Sequence, residues 1–567
     1  MTKPKWSVAG YDREEAVRLT RSGINPLISV LLSSRGATTK EKIEALTSSE
    51  LSAISDPFLM ADMDKAAERV RRAIENHEHV AVYGDYDVDG ITSSCIVADY
   101  LRSRGVVCDI YIPERLEEGY GVKDTALETI AEKGVSLVIT VDCGITAAEN
   151  KRFAASKGMD MVITDHHEVS GERPTSPVVD PKRPDCPSPA KMLAGVGVAF
   201  KLICAVDGVE NTESLLNRYA DLVAVGTIAD VMPMIGENRV FVKRGLQLVR
   251  DGARPGLSEL INAAGANRRK MTVTGIGYTL APRINAAGRL GGTDVAVDLL
   301  LSENSKEAEE LAKQLCFLNT ERRRIEAEMV DEASEMLEKQ PPMDRPIVLM
   351  SEGWHQGVAG IVASRIAEKY NLPAIMVCVK DGIGRGSCRS AGGYNIFEAL
   401  GANKDILLSF GGHELAAGIT ISADKVDELR ARLGEAYVAA SDEIPEPTLA
   451  IDFEVIKPEL LSVSNVTALD ELEPFGTGNP SPVLCMTNMT VEAVVPLSGG
   501  KHTKLRLEKS GSVFDGLFFG KTPQELEVKP GDRVDVAFNP QINEFRGKRT
   551  VQLNLIDAVK NRGEENG

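Results

Sequence analysis

From residue 79 to about 235, short apolar runs alternate with helix-length segments. The runs are Val80–Tyr83, Val106–Ile112, Leu137–Val141, Met161–Thr164 and Val178–Val179. Each of the first four is expected to lead into a helix. Such alternation forces a mostly parallel, doubly wound sheet, because parallel neighbours need a crossover between them. In open sheets of this kind, functional groups collect at the carboxyl ends of the strands. The residues just after each run therefore carry the chemistry.

The strand ends are acidic. The first continues Tyr83-Gly84-Asp85-Tyr86-Asp87-Val88-Asp89-Gly90, with three carboxylates at every second position. The third gives Val141-Asp142-Cys143-Gly144, and the fourth Thr164-Asp165-His166-His167-Glu168. Asp230 follows the apolar helical stretch Leu222–Ala229. Stacked carboxylates repel one another unless a cation sits among them, and hard oxygen ligands suit Mg²⁺ or Mn²⁺. Each piece also has a plainer reading. The first run could be a surface acidic turn. Asp142 could cap a helix. The two histidines could be turn residues, though the chain has only seven. Together the four pieces point to metal.

The remaining chain is long enough for three or four domains. Residues 1–75 are expected to be an irregular and helical segment, and 76–235 a parallel-sheet catalytic domain. Residues 236–342 should be helical, ending in a long connector helix from Ser305. Residues 343–442 should form a smaller α/β domain. Residues 443–560, with short strands between Gly, Pro, Asn and Lys turns, should form an OB-fold β-barrel, and 561–567 a tail. The net charge of −18 argues mildly against a nucleic-acid binder, although local grooves decide phosphate contact. Nine scattered cysteines without a C-x-x-C pair favour reduced thiols in a cytoplasm over disulfides or zinc. No apolar stretch is long enough to span a bilayer, and the N-terminus carries no hydrophobic signal core, so no membrane partner is expected.

Asp165-His166-His167 preceded by Asp85-Tyr86-Asp87-Val88-Asp89-Gly90 resembles the DHH phosphoesterase superfamily. The Asp-x-Asp-x-Asp-Gly form resembles its RecJ branch of single-strand-specific exonucleases. Ala229-Asp230-Val231-Met232-Pro233, Pro282–Arg289 and Pro474-Phe475-Gly476-Thr477-Gly478-Asn479-Pro480 fit as well. Many relatives carry a His where this chain has Tyr83, and here Asp85 offers a carboxylate instead.

The resemblance implies a DHH-type domain, a DHH-associated domain and an OB-fold. It implies two divalent cations, Mn²⁺ or Mg²⁺, held by Asp87, Asp89, Asp142, His166 and Asp230, with Asp85 as an additional ligand. Asp142 would bridge them, since a neutral imidazole nitrogen has only one lone pair. His167 would face the scissile phosphate, with Asp165 fixing an imidazole tautomer. Gly84, Gly90 and Gly144 would let backbone approach the phosphate.

In the smaller domain, Gly384-Arg385-Gly386-Ser387-Cys388-Arg389 and Gly411-Gly412-His413 form an expected anion cradle of glycine, hydroxyl and guanidinium. Arg115, Ser387 and Arg389 would grip a 5′ phosphate. Arg283 and Arg289 would add backbone contacts, and so would the Arg322-Arg323-Arg324 triplet unless it is a solvated face. Lys501, His502, Lys504, Arg506, Phe545, Arg546, Lys548 and Arg549 would hold a single strand by stacking and charge.

The implied activity is 5′→3′ hydrolysis of single-stranded DNA to 5′ mononucleotides, in repair and recombination. The implied enzyme is a cytoplasmic monomer that receives its strand from a helicase or a single-strand-binding protein. Two alternatives remain open. One is a phosphodiesterase of short oligonucleotides, cyclic dinucleotides or 3′-phosphoadenosine phosphate. The other is a replication scaffold that has lost its metals.

Overall fold

The structure, a computed structural model, describes residues 5–169, 171–339, 345–439 and 448–561. The chain divides into two compact units. One comprises Ile54–Met232 with Phe241–Pro447, the other Lys3–Ala53, Pro233–Val240 and Thr448–Gly567.

The first unit contains a five-stranded parallel sheet, ordered Cys108–Tyr111, Val80–Gly84, Leu137–Val141, Asp160–Thr164, Val178–Val179. Every residue of Val80–Gly84 and Leu137–Val141 is buried. That is why both are continuous apolar runs: helices cover the two faces, so neither face can be polar. The strand order runs second, first, third, fourth, fifth. The direction of winding therefore reverses between the first strand and the third, which opens a crevice between their carboxyl ends. Asp85–Asp89 and Asp142 follow those two strands.

Helices follow the first three strands, at Val88–Ser103, Asp124–Glu132 and Ala148–Ser156. The helix expected after the fourth strand is absent. Asp160–Thr164 is joined to Val178–Val179 by a segment that begins with Asp165-His166-His167 and is helix-free among its described residues.

The long helix spans Ser305–Glu338, about 51 Å at the α-helical rise. It is not a free-standing connector. Ala308, Ala312, Leu315, Asn319, Arg322, Glu326, Met329, Ala333 and Leu337 recur at three- and four-residue intervals and are buried. The helix packs along them on Pro255–Ala263, Ala281–Leu290, Thr293–Leu301 and Gln356–Tyr370.

A second five-stranded sheet orders Leu407–His413, Ala416–Ser422, Ile383–Arg389, Ala374–Lys380, Ile347–Ser351. Only the last pair is parallel. Both glycine-rich runs of the expected anion cradle lie in strands.

The second unit is built on a barrel ordered Leu484–Leu497, His502–Lys509, Ser512–Phe518, Lys548–Lys560, Arg533–Phe545, which closes by pairing the last strand with the first. This is the OB topology. Three of its strands are 13 or 14 residues long, not short. Register shifts at Met486/Met489, Val491/Ala493 and Ala537/Phe538 bend them around the barrel.

Residues 5–53 belong here and are not a separate leading segment. Lys5–Val8 pairs in parallel with Thr448–Ile451. Leu19, Leu27, Ile28, Leu31 and Leu32 pack into the same core as Phe453, Leu484, Val536 and Phe538. Arg35 holds Asp452 at 2.8 Å.

Candidate active site

Asp87 caps the Val88–Ser103 helix, accepting from the amides of Asp89 at 2.9 Å and Gly90 at 3.1 Å. Its cap role turns the chain sharply and places Asp85 and Asp89 on either side. Asp89 is buried. It accepts from Gly195 N at 2.6 Å and Val196 N at 2.9 Å, the first amides of the Gly195–Asp207 helix, where partial positive charge favours an anion. Asp142 has φ +58°, in the left-handed region. It caps no helix: the next one begins after Ala147. Asp230 closes the Thr212–Ala229 helix.

Three groups of ligand atoms converge, each with its atoms within 4.8 Å of one another: Asp85, Asp87 and Asp142; Asp89, His166 and Asp230; and Asp142, His166 and His167. His166 Nε2 lies 3.1 Å from Asp142, 3.6 Å from Asp230 and 3.8 Å from Asp89. Buried oxygens of Asp85, Asp142 and Asp230 have no hydrogen-bond partner among the described residues. Leaving buried polar atoms unmatched is costly. A divalent cation among these oxygens and one imidazole satisfies them, so the donor set fits Mn²⁺ or Mg²⁺.

The electrostatics agree. Burial and then the Asp87 charge push Asp85 up to about 8. Burial and Asp87 likewise raise Asp230 to about 7. Asp89 and Asp142 are pushed well above the usual range by burial and by their acidic neighbours. Five acids crowded in this way do not all ionise without a compensating cation. Burial, then the charge of His167, depresses His166 to about 3, which keeps it a neutral ligand.

Asp165 is fully buried and accepts from the amides of Ile145, His166 and His167 and from His167 Nδ1 at 2.8 Å. Burial alone would lower His167, but the Asp165 bond outweighs it and raises the imidazole to about 9. His167 is 44% exposed at its side chain.

Two further residues lie here that no motif marks. Tyr120 stands edge-on to the His167 ring at 5.6 Å, its hydroxyl 3.2 Å from Nδ1. Asp180 follows the fifth strand, fully buried, with one oxygen bonded to Lys182 N and the other unpartnered. Its position at a strand end is the same signal that marks Asp142 and Asp165.

The three glycines expected to approach phosphate serve internal packing. A methyl group on Gly84 would meet Gly90 O at 2.8 Å, one on Gly90 would meet Asp85 N at 2.5 Å, and one on Gly144 would meet Thr140 Oγ1 at 2.7 Å. They seat the strand ends against their immediate surroundings.

Beside the acids lies a cleft of about 620 Å³, lined among others by Tyr86, Arg115, Tyr120, Arg385, Ser387 and Gly411. The period-two alternation of Ile383–Arg389 explains its chemistry. Gly384, Gly386 and Cys388 are buried in the sheet's core, whereas Arg385, Ser387 and Arg389 occupy the other face. Arg115 lies over the Tyr86 ring at 4.9 Å. A methyl on Gly360 would meet an Arg389 guanidinium nitrogen at 3.1 Å and Ser387 Oγ at 3.6 Å. Burial, then the charges of Arg115, Arg322 and Arg389, lowers Arg289 to about 10. Guanidinium groups thus crowd together on one side of the cleft as carboxylates do on the other.

The remaining expected contact residues have internal partners or stand exposed. Arg283 bonds Thr279 O at 2.6 Å and Cys316 Sγ at 3.4 Å. Gly412, at φ +139°, lies tight against Ala417. His413 stands exposed in the hairpin, its Nδ1 accepting from Leu415 N. Arg322 is buried and bonded to Asn319 and Glu326, and Arg324 to Glu321 and Glu328. On the barrel, Lys504 pairs with Asp515 and Arg506 with Glu492. Phe545 is exposed, with the Arg546 guanidinium 5.2 Å over its ring.

Residues 79–227 match the DHH family, N-terminal domain; residues 344–439 match the DHHA1 domain; residues 451–557 match the RecJ OB domain. The single-stranded-DNA-specific exonuclease RecJ of Bacillus subtilis is 40% identical over 564 residues, covering 98% of this chain and 71% of the relative. The Escherichia coli RecJ is 33% identical, covering 94% and 96%. The crystal structure of Thermus thermophilus RecJ in complex with Mn²⁺ superposes with a TM-score of 0.83 at 31% identity, covering 98% of this chain and 80% of that one. A Mg²⁺ complex of the same protein gives 0.77 at 30% identity, covering 98% and 78%. The chain belongs to the RecJ family of the DHH phosphoesterase superfamily.

Proposed function

We propose that the chain is a metal-dependent 5′→3′ exonuclease of single-stranded DNA that releases 5′ mononucleotides and serves repair and recombination. One observation carries the reading. Buried, unpartnered oxygens of Asp85, Asp142 and Asp230 open beside a cleft whose other wall is cationic. That juxtaposition suits a phosphodiester: the acids would hold divalent cations, and the guanidinium groups would hold a neighbouring phosphate. The names of the relatives support the substrate.

Asp85, Asp87 and Asp142 would hold one divalent ion, and Asp89, His166 and Asp230 a second, with Asp142 next to both sets. When bound, such ions lower the pKa of water and neutralise charge on the phosphate. The chain's own residues supply the rest. Asp165 accepts from Nδ1 of His167 and raises its imidazole to about 9, so the ring stays protonated and its Nε2–H can donate to a phosphate or leaving oxygen. Arg115, Ser387 and Arg389 would bind the terminal 5′ phosphate, and Arg289 would add to the same field. Phe545 and Arg546 on the barrel would stack on and attract the trailing strand.

Digestion of 5′- and 3′-labelled single strands with Mn²⁺ tests polarity and product. Release of 5′ mononucleotides from the 5′ end is expected; initial release from the 3′ end would refute the reading. Arg389→Ala should abolish the preference for 5′-phosphorylated over 5′-hydroxyl strands, and an unchanged preference would remove Arg389 from the grip.

A further inference from the structure

The cleft beside the acids lies wholly within the first unit, and its floor is a sheet whose strands stand in register. Ser387, Gly418 and Gly411 form one row across three strands, and Arg385, Thr420 and Ser409 form the next. These residues alternate along their strands with Cys388, Ile419 and Ile421, which pack into the core behind the sheet. Both rows line the cleft, and so does Lys123.

Nothing inside the fold demands glycine at 411 or 418. A methyl group on Gly411 would meet nothing within 4 Å, and one on Gly418 would come no closer than 3.9 Å, to Gly386 O. Neither residue has a positive φ. Glycine weakens a strand, and where neither packing nor conformation asks for it, close approach of a ligand to the backbone is the remaining use. The pair leaves bare main chain open to the cleft.

The neighbouring row is polar and unpaired. Arg385 is exposed, and neither its guanidinium nor the Lys123 ammonium has a hydrogen-bond or ion-pair partner among the described residues. The hydroxyls of Thr420 and Ser409 are likewise unbonded there. Cations beside hydroxyls suit phosphate oxygens.

Order along the strand decides which phosphates these are. Arg115 lies in the charge field of both Asp85 and Arg389, so the acids adjoin the Arg389 end of the floor. Arg385 stands four residues farther along the same strand, about 13 Å from Arg389 and about 7 Å past Ser387 at the strand rise. A 5′ phosphate gripped by Arg115, Ser387 and Arg389 would therefore have the Arg385 row ahead of it, on the side away from the acids.

We infer that Arg385, Thr420, Ser409 and Lys123 form a second anion subsite that takes the β and γ phosphates of a 5′-triphosphorylated strand, so that such ends are cut without prior trimming. The inference rests on the reading of Arg115, Ser387 and Arg389 as the grip on the 5′ phosphate. Water would attack the first internal phosphorus, the bond from that phosphorus to the 3′ oxygen would break, and the 3′ oxygen would leave with a proton. The first product would be an intact nucleoside 5′-triphosphate. The shortened strand would keep a 5′ monophosphate, and later cuts would release monophosphates.

The test gives the full chain, with Mn²⁺, two single strands of one sequence. One carries a 5′ monophosphate and the other a 5′ triphosphate labelled at the γ phosphorus. The label should appear in nucleoside triphosphate, at a first-cut rate close to that of the monophosphate strand. Arg385→Ala should lower the ratio of triphosphate to monophosphate cutting by about tenfold, the low end for a lost hydrogen bond to a charged group. Thr420→Val should lower it in the same direction. Label released as orthophosphate or pyrophosphate, or a triphosphate strand left intact while the monophosphate strand is digested, would overturn the inference. So would an unchanged ratio in both variants; an equal loss on both strands would give the row to the trailing strand instead. Failure of the unaltered chain to cut the monophosphate strand from its 5′ end would overturn the exonuclease reading beneath it.

Discussion

Gly195→Ala tests the metal site without touching a ligand. The added methyl would lie 2.6 Å from Asp142 Cβ, 2.7 Å from Oδ1 and 2.9 Å from Cα. Carbon atoms in contact normally stand about 3.5–4.0 Å apart, so something must give by roughly 1 Å. Neither neighbour is a flexible side-chain end. Asp142 is fixed by its own left-handed backbone, and Gly195 N is itself the donor at 2.6 Å to Asp89. The strain therefore falls on carboxylates of both expected ion sites. A misplacement of about 1 Å costs on the order of 100-fold in rate, while overpacking of this kind costs about 1–3 kcal/mol of stability. The assay is single-turnover digestion of a labelled strand at saturating Mn²⁺, beside a thermal melt. Gly197→Ala is the control, since a methyl there meets only the Leu193 side chain, at 3.2 Å or more. A folded Gly195→Ala protein with a rate close to that of wild type would refute the claim that the carboxylate positions are critical.

Asp142→Ala should remove nuclease activity and weaken Mn²⁺ binding together; full activity would end the two-ion reading. Asp85 and Asp230 have folded values of about 8 and 7, above the ordinary value of about 4. The folded state therefore binds more protons, and metal-free protein should lose stability as pH rises from about 4 to 8. Mn²⁺ should offset that loss, so the melting temperature should gain more from Mn²⁺ at pH 8 than at pH 5; an equal gain at both would count against it. Phe545→Ala should weaken single-strand binding by about 1–3 kcal/mol, the worth of a stacked base. Lys504→Ala, already paired with Asp515, should change it little, and fluorescence titration of a labelled oligonucleotide separates the two.

The catalytic sheet was legible because its central strands, Val80–Gly84 and Leu137–Val141, are buried on both faces and so read as unbroken apolar runs. Its acids were legible because a parallel sheet puts them at strand ends. Elsewhere the same rule reached its limits. Gly384–Arg389 reads in sequence only as an anion cradle, and the strand is not apparent because its close-packed face is made of glycines. Leu484–Leu497 was hidden by Pro482 and Pro496 at its margins and by the bulges that curl it. Arg322 reads as surface charge in sequence and is buried in structure, because its partners Asn319 and Glu326 sit one helical turn away. The placement of residues 5–53 was beyond local reading, since the strand that Lys5–Val8 joins lies more than 400 residues later.

That last pairing has a consequence for biosynthesis. Leu19, Leu27 and Leu31 find their core only among barrel residues, and nearly 400 residues, almost all of the other unit, separate the two halves. At about 5–20 residues per second, these helices wait roughly 20–80 s after synthesis for their partners. Throughout that interval their apolar faces are sticky and unclaimed, so this part of the chain is secured long after it is made.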